Sequence, residues 1–233
     1  MPFFNKNVRR IYLRILIVIS CFAIVAWSAY QVWLHKVHTV IPDQVYRSAQ
    51  LSPPLLAHYL KTKGIKSVIN LRGSQPRTKW YRQEVALTEQ MDVNHYDISL
   101  PSHTIPNKEK LQLLVYTLIH APKPILVHCL GGADRTGLAS AVALILDNNA
   151  TLQQSKHQIS ALHLVFSPTS VGKLVFPYYH TWLVKNHLPH NRENFLKWVC
   201  SEHPFNHQAP PAKANEVKNL LCPHLRLTQT AQD

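Results

Sequence analysis

Cys129 stands six positions before Arg135, and the bend between them, Leu130-Gly131-Gly132-Ala133-Asp134, is rich in glycine. A thiol and a guanidinium at that spacing can hold a phosphate dianion and attack its phosphorus. Three of the chain's six glycines, Gly131, Gly132 and Gly137, fall within seven residues here, where the backbone must curl and approach a ligand without a Cβ in the way. Arg135 offers a planar fork of donors that binds two phosphoryl oxygens at once, and it clamps charge as it shifts in a transition state.

The flanking residues say what positions this loop. Pro124 to Val127 (PILV) has the short apolar pattern of a buried strand, and Thr136 to Leu146 has the alanine and leucine content of a helix. Cys129 therefore opens a strand-to-helix turn, where unpaired backbone N–H groups and the positive end of the helix dipole favour an anion. A helix N-terminus and a neighbouring guanidinium also favour the thiolate form of a cysteine, the form expected of Cys129. The Thr136 hydroxyl is placed to donate to the sulfur, and His128 to fix the loop's shape from behind. Without its neighbours, Cys129 would read as a small buried residue beside a tight turn.

The run His128-Cys129-Leu130-Gly131-Gly132-Ala133-Asp134-Arg135-Thr136-Gly137 resembles the C-x5-R signature of the cysteine-dependent protein tyrosine phosphatase superfamily, in its bacterial dual-specificity-like form. The resemblance extends upstream through Val45-Tyr46-Arg47-Ser48-Ala49-Gln50-Leu51-Ser52 and Gly64 to Arg72. It implies hydrolysis of phosphomonoesters through a phosphocysteine, with Cys129 and Arg135 catalytic and with Leu130, Gly131, Gly132, Ala133, Thr136 and Arg72 around the phosphate. No cofactor and no metal are implied.

The general acid departs from the family pattern. Many relatives carry an aspartate on a loop about thirty residues before the cysteine, but here that loop, Pro101 to Asn107, has no carboxylate. Asp134, beside Arg135, is the first candidate, since related phosphatases with an Asp-Arg-Thr loop use or are thought to use that aspartate. Asp97, His103 and water are the alternatives. Asp134 has a purely structural reading too, pairing with Arg72 or capping the helix that follows.

Alternating elements position the site. Strands are expected near 44–47, 66–71, 93–99 and 125–128, and helices near 53–63, 79–91 and 107–120, with further helices at 151–164, 171–187 and 191–201. The alternation predicts an α/β domain of three layers around a central, mostly parallel sheet of four to five strands. The expected organisation is a basic N-terminus at 1–14, a transmembrane anchor at 15–34, a phosphatase domain at 40–202 and a proline-containing tail at 203–233, with a short helix possible in pattern at 212–221. About 190 residues beyond the anchor suit one domain, and no internal repeat is present.

Residues 15–34 are twenty positions without a charge, about 30 Å as a helix, which matches a bilayer core. Lys6, Arg9, Arg10 and Arg14 precede them and only Lys36 follows before Arg47, so the N-terminus is expected in the cytoplasm and the catalytic domain outside it. Trp27, Tyr30 and Trp33 fit an interfacial belt. A cleaved signal peptide, with Ala26 and Ser28 as the small residues, and a buried core helix are the competing readings.

The formal net charge is +13, and residues 61–83 hold seven cations and no acid. Arg72, Arg77, Lys79 and Arg82 follow the expected strand at 66–71 and are placed to rim the pocket, which suits a phosphorylated protein, a phospholipid headgroup or an inositol phosphate. A solvated basic face, or contact with an anionic lipid surface, accounts for the same run. Nucleic acid is disfavoured, because no reader motif interleaves aromatics with the cations. The fifteen histidines show no metal-site spacing. Cys200 and Cys222 either form a disulfide, as an oxidising compartment allows, or stay separate thiols. An exported catalytic thiolate would itself be open to oxidation. A catalytically silent phosphate-binding adaptor on the membrane is the alternative to an enzyme.

Overall fold

The chain is described by a computed structural model covering residues 6–34, 37–147, 150–201 and 221–222. It divides into two compact units, Met1–Lys36 and Val37–Asp233.

The first unit is a single helix, α1 (Lys6–Leu34). Its stretch Val8–Ala29 is 22 residues of mean hydropathy 2.2, none of it buried, so it is long and apolar enough to cross a membrane. That stretch begins earlier than the expected 15–34, because Val8, Ile11, Tyr12 and Leu13 alternate with arginines without breaking the helix.

The second unit is layered. Its elements are β1 (His38–Ile41), β2 (Val45–Ser48), α2 (Pro53–Thr62), β3 (Ser67–Asn70), α3 (Lys79–Gln90), β4 (Asn94–Asp97), α4 (Lys108–His120), β5 (Ile125–His128), α5 (Asp134–Leu146), α6 (Leu152–Lys156), α7 (Val171–Lys185) and α8 (Arg192–Cys200). The five strands run in the order β1-β2-β5-β3-β4. Only β1 is antiparallel to its neighbour; the other pairs are parallel. β1 is the strand that the sequence reading did not place.

Period-two alternation splits the strand residues between two cores. Val45, Ile69, Ile125 and Val127 face α4, α5, α7 and α8, whereas Tyr46, Val68 and Leu126 face α2 and α3. Helices on both faces explain why β5 reads as an unbroken apolar run. His128 is in register with both Ser48 and Asn70, so β2, β5 and β3 end level and their loops meet at one edge.

The expected helix at 151–164 is shorter. α6 stops at Lys156, two 3₁₀ turns follow (His157–Ile159 and Ala161–His163), and Ser160 between them is extended. Tertiary packing overrides propensity there: the Gln158 carbonyl lies against Gly137, only 2.9 Å from where a Cβ would stand. The expected tail and its short helix at 212–221 fall outside the described residues, apart from residues 221–222. Cys200 and Cys222 form a disulfide, with their Cα atoms 5.8 Å apart.

Candidate active site

β5 ends at His128, and Cys129 begins the loop that enters α5 at Asp134. Its thiol is buried, with Cys129 only 3 % exposed. The α5 N-cap is Ala133, which has no side chain able to cap, so the N–H groups of the first turn remain free for an anion. Thr136 is fully buried, and neither its Oγ1 nor Arg135 Nε has a hydrogen-bond partner. The expected bond from Thr136 to the cysteine sulfur is therefore not formed, and two donors beside the loop are unspent.

The loop is held in shape by residues distant in sequence. Arg47 Nη2 donates to Gly132 O at 2.7 Å, and Arg47 Nη1 donates to Gln158 O at 2.9 Å and Gln158 Oε1 at 2.8 Å. Burial pulls the Arg47 pKa down to about 10, partly opposed by attraction to Cys129. Gln50 N donates to Leu130 O at 3.1 Å. Gly132 has φ +65°, and a Cβ there would stand 2.6 Å from Ala49 N, so this position requires glycine.

The other side of the loop is held by α3. His128 Nε2 lies 3.1 Å from Glu84 Oε1, and His128 Nδ1 lies 3.2 Å from Cys129 O. His95 Nε2 reaches the same Glu84 oxygen at 3.0 Å. Burial raises the Glu84 pKa, but the hydrogen bonds from His128 and His95 and their charge outweigh it and hold the carboxyl at about 2. His128 thus links α3 to the first carbonyl of the loop. Arg47, Glu84 and Gln158 were missed, because nothing local in sequence links them to Cys129.

An open pocket of about 440 Å³ adjoins the loop, lined among others by Gln50, Leu56, Arg72, Trp80, Gln83 and Leu130. Arg72 lies over the Trp80 ring, 3.9 Å from its centroid, and its Nη1 donates to Gln50 Oε1. Burial, and then the Arg135 charge beside it, lower its pKa, against the attraction to Cys129 and Glu84, which raises it. Of the four expected rim cations only Arg72 lines this pocket; Arg77, Lys79 and Arg82 are exposed, and Arg82 Nη1 bonds Pro76 O at 3.1 Å.

The candidate acids are placed differently. Asp134 is half-buried in the first turn of α5, next to Arg135. Both oxygens of Asp97 are engaged, Oδ1 by Asn70 Nδ2 at 2.8 Å and Oδ2 by the Tyr81 hydroxyl. His103 is exposed on the loop before α4. Leu130 and Gly131 are exposed at the tip of the catalytic loop, and Ala133 is half-buried.

Residues 45–149 match the family model described as "Tc-R-P: Polymorphic toxin system, DSP-PTPase phosphatase". Residues 45–149, a little under half of the chain, are thus similar to phosphatases of the DSP-PTPase class. The fold is shared with solved phosphatases of low sequence identity. The core catalytic domain of the PP-IP phosphatase SIW14 from S. cerevisiae, in complex with citrate, superposes with a TM-score of 0.51 at 16 % identity, covering 65 % of this chain and 92 % of its own. A second structure of the Siw14 catalytic core gives 0.50 at 18 % identity, covering 66 % and 94 %. No curated protein matches the sequence.

The match thus starts at β2 and ends just after α5, so it contains Arg47, Glu84 and His128, which hold the loop, but not Gln158, which bonds Arg47. The helices beyond α5 supply that residue and close the core around α5.

Proposed function

We propose that this phosphatase domain hydrolyses phosphomonoesters, either phosphotyrosine, phosphoserine or phosphothreonine on proteins or phosphate on phospholipid headgroups, through a phosphocysteine on Cys129. The observation that carries this is the buried Cys129 facing an uncapped helix start, with Arg135 Nε and Thr136 Oγ1 unpartnered beside it. In the first step Cys129 Sγ forms a bond to phosphorus as the ester P–O bond breaks. Asp134 hands a proton to the departing oxygen, and Arg135 with the loop N–H groups holds the three equatorial oxygens. Water then attacks phosphorus, Asp134 takes up its proton, the S–P bond breaks and inorganic phosphate leaves.

Asp134 is favoured over Asp97 because both Asp97 oxygens already accept hydrogen bonds. Arg72, Leu130, Gly131, Gly132, Ala133 and Thr136 are the substrate-binding set. The similar yeast protein is a PP-IP phosphatase, which adds inositol phosphates to the panel to test.

The reading extends to location. α1 spans a membrane with its basic end in the cytoplasm and the phosphatase domain outside, a placement supported by charge asymmetry and by the Cys200–Cys222 disulfide.

The test is phosphate release by the full chain from phosphopeptides, phosphatidylglycerophosphate, phosphoinositides and inositol phosphates. Cys129→Ser is expected to abolish turnover while vanadate binding persists; residual turnover within tenfold of wild type overturns the covalent route. Asp134→Asn is expected to slow alkyl phosphates more than aryl phosphates, whose leaving groups need no proton, and equal losses on both remove it as general acid.

A further inference from the structure

Outside α1, the described residues expose five large apolar side chains, and two of them, Leu162 (77 % exposed) and Phe166 (69 % exposed), sit in one short loop. Single exposed apolar residues need no explanation. This pair differs in being held rigidly outward and in where the loop is anchored.

The rigidity is visible in the backbone. His163 N donates to Ser160 O and Leu164 N to Ala161 O, each at 3.0 Å, and Val165 N donates back to Ser160 O at 3.2 Å. Leu164 takes φ +60°, which reverses the chain, and Val165 is buried as the plug. Leu162 and Phe166 are left on the outside of a closed turn.

The anchorage concerns His163, which lies between them. Its ring meets the His38 ring edge-on, with centroids 6.3 Å apart. His38 is the first residue of β1, and Leu34, the last residue of α1, precedes it by four positions. A chain that short spans at most about 14 Å when fully extended. His38 lies in the same unit as the loop, so the loop packs beside the strand by which the chain enters that unit, four positions after α1 ends.

The charge pattern fits the same neighbour. No Asp or Glu occurs between Asp147 and Glu193, and the exposed cations Lys156 and Lys173 flank the loop, with Lys173 Nζ donating to Phe166 O at 3.4 Å. Exposed apolar side chains beside a lysine, in a segment without acids, suit a peripheral contact with an anionic bilayer surface.

We propose that the loop 161–166 docks on the bilayer that α1 crosses, with Leu162 and Phe166 seated at the boundary between headgroups and acyl chains. The proposal rests on the membrane reading of α1 given above. It assigns a lipid-facing surface to the phosphatase domain itself, separate from its anchor.

The full chain is reconstituted into vesicles of phosphatidylcholine and phosphatidylglycerol, in a background of Cys21→Ser and Cys129→Ser, with an environment-sensitive fluorophore attached at Leu162→Cys, Phe166→Cys or, as control, the exposed Lys61→Cys on α2. Doxyl-labelled lipids are expected to quench the probe at 162 and 166 at least threefold more than at 61, with a blue-shifted emission. Quenching equal to that at 61, in protein that stays in the vesicles through an alkaline wash, overturns the docking and leaves the anchor standing. Protein that washes off overturns the anchor reading, and the docking falls with it.

Discussion

Arg47 and Glu84 brace the catalytic loop from opposite layers, and they keep their charge for opposite reasons. Arg47 lies among neutral oxygens, those of Gly132 and Gln158, so burial dominates and its pKa falls to about 10. Glu84 meets two histidine rings, which outweigh burial and hold it at about 2. The β2 brace therefore keeps its charge throughout the acid and neutral range, while the α3 brace loses its charge as pH falls through about 2. One side of the loop is thus secured by a charge that persists through the acid range, and its acid response is confined to the Glu84 side.

Removing the Arg47 brace is expected to have the largest effect. Arg47→Met leaves the Gly132 and Gln158 oxygens buried without donors, which costs roughly 3 kcal/mol and a fall in Tm of roughly 6–12 °C for a domain of this size. Calorimetry of the detergent-solubilised chain checks this, and an unchanged Tm would mean that the cation merely fills space.

Glu84→Gln comes next, at about 1.5–3 kcal/mol near neutral pH, with kcat/KM down about tenfold through the loss of His128 alignment. Its sign with pH is specific. The folded-state pKa of Glu84 is depressed from 4.5 to about 2, so the stability it adds is full above about 4.5 and is lost as pH falls through about 2. Tm against pH should therefore drop more steeply on the acid side in wild type than in Glu84→Gln, and parallel curves would place the acid response elsewhere.

The smallest expected effect lies outside both braces. Trp80→Ala removes the ring under Arg72, a half-buried cation–π contact worth about 1 kcal/mol. KM should rise a few-fold with kcat unchanged, since Arg72 keeps its bond to Gln50. A fall in kcat instead would move Arg72 from substrate binding into the chemical step.

The comparison also marks how far the sequence can be read. The Cys129 loop and α5 were legible because their signal is local: an apolar strand, a glycine bend and a helix former in succession. The parallel sheet followed from alternation of elements. β1 was not legible, since His38 to Ile41 is four residues with one polar side chain on each face and takes its identity from pairing with β2. Arg47 and Glu84 were invisible as braces because their partners lie 85 and 44 positions away. The basic run at 61–83 misled in detail, because charge composition does not say which way a helix turns its side chains, and only Arg72 reaches the pocket.

The bond between Cys200 and Cys222 joins α8 to a point 22 positions onward, making a covalent ring of the backbone between them. A protease that nicks this ring once releases no fragment: the two pieces travel together on a denaturing gel and separate only when a reductant is added. Shedding of the chain's extreme C-terminus by cleavage inside the ring thus needs two events, a cut and a reduction, in whichever order they come.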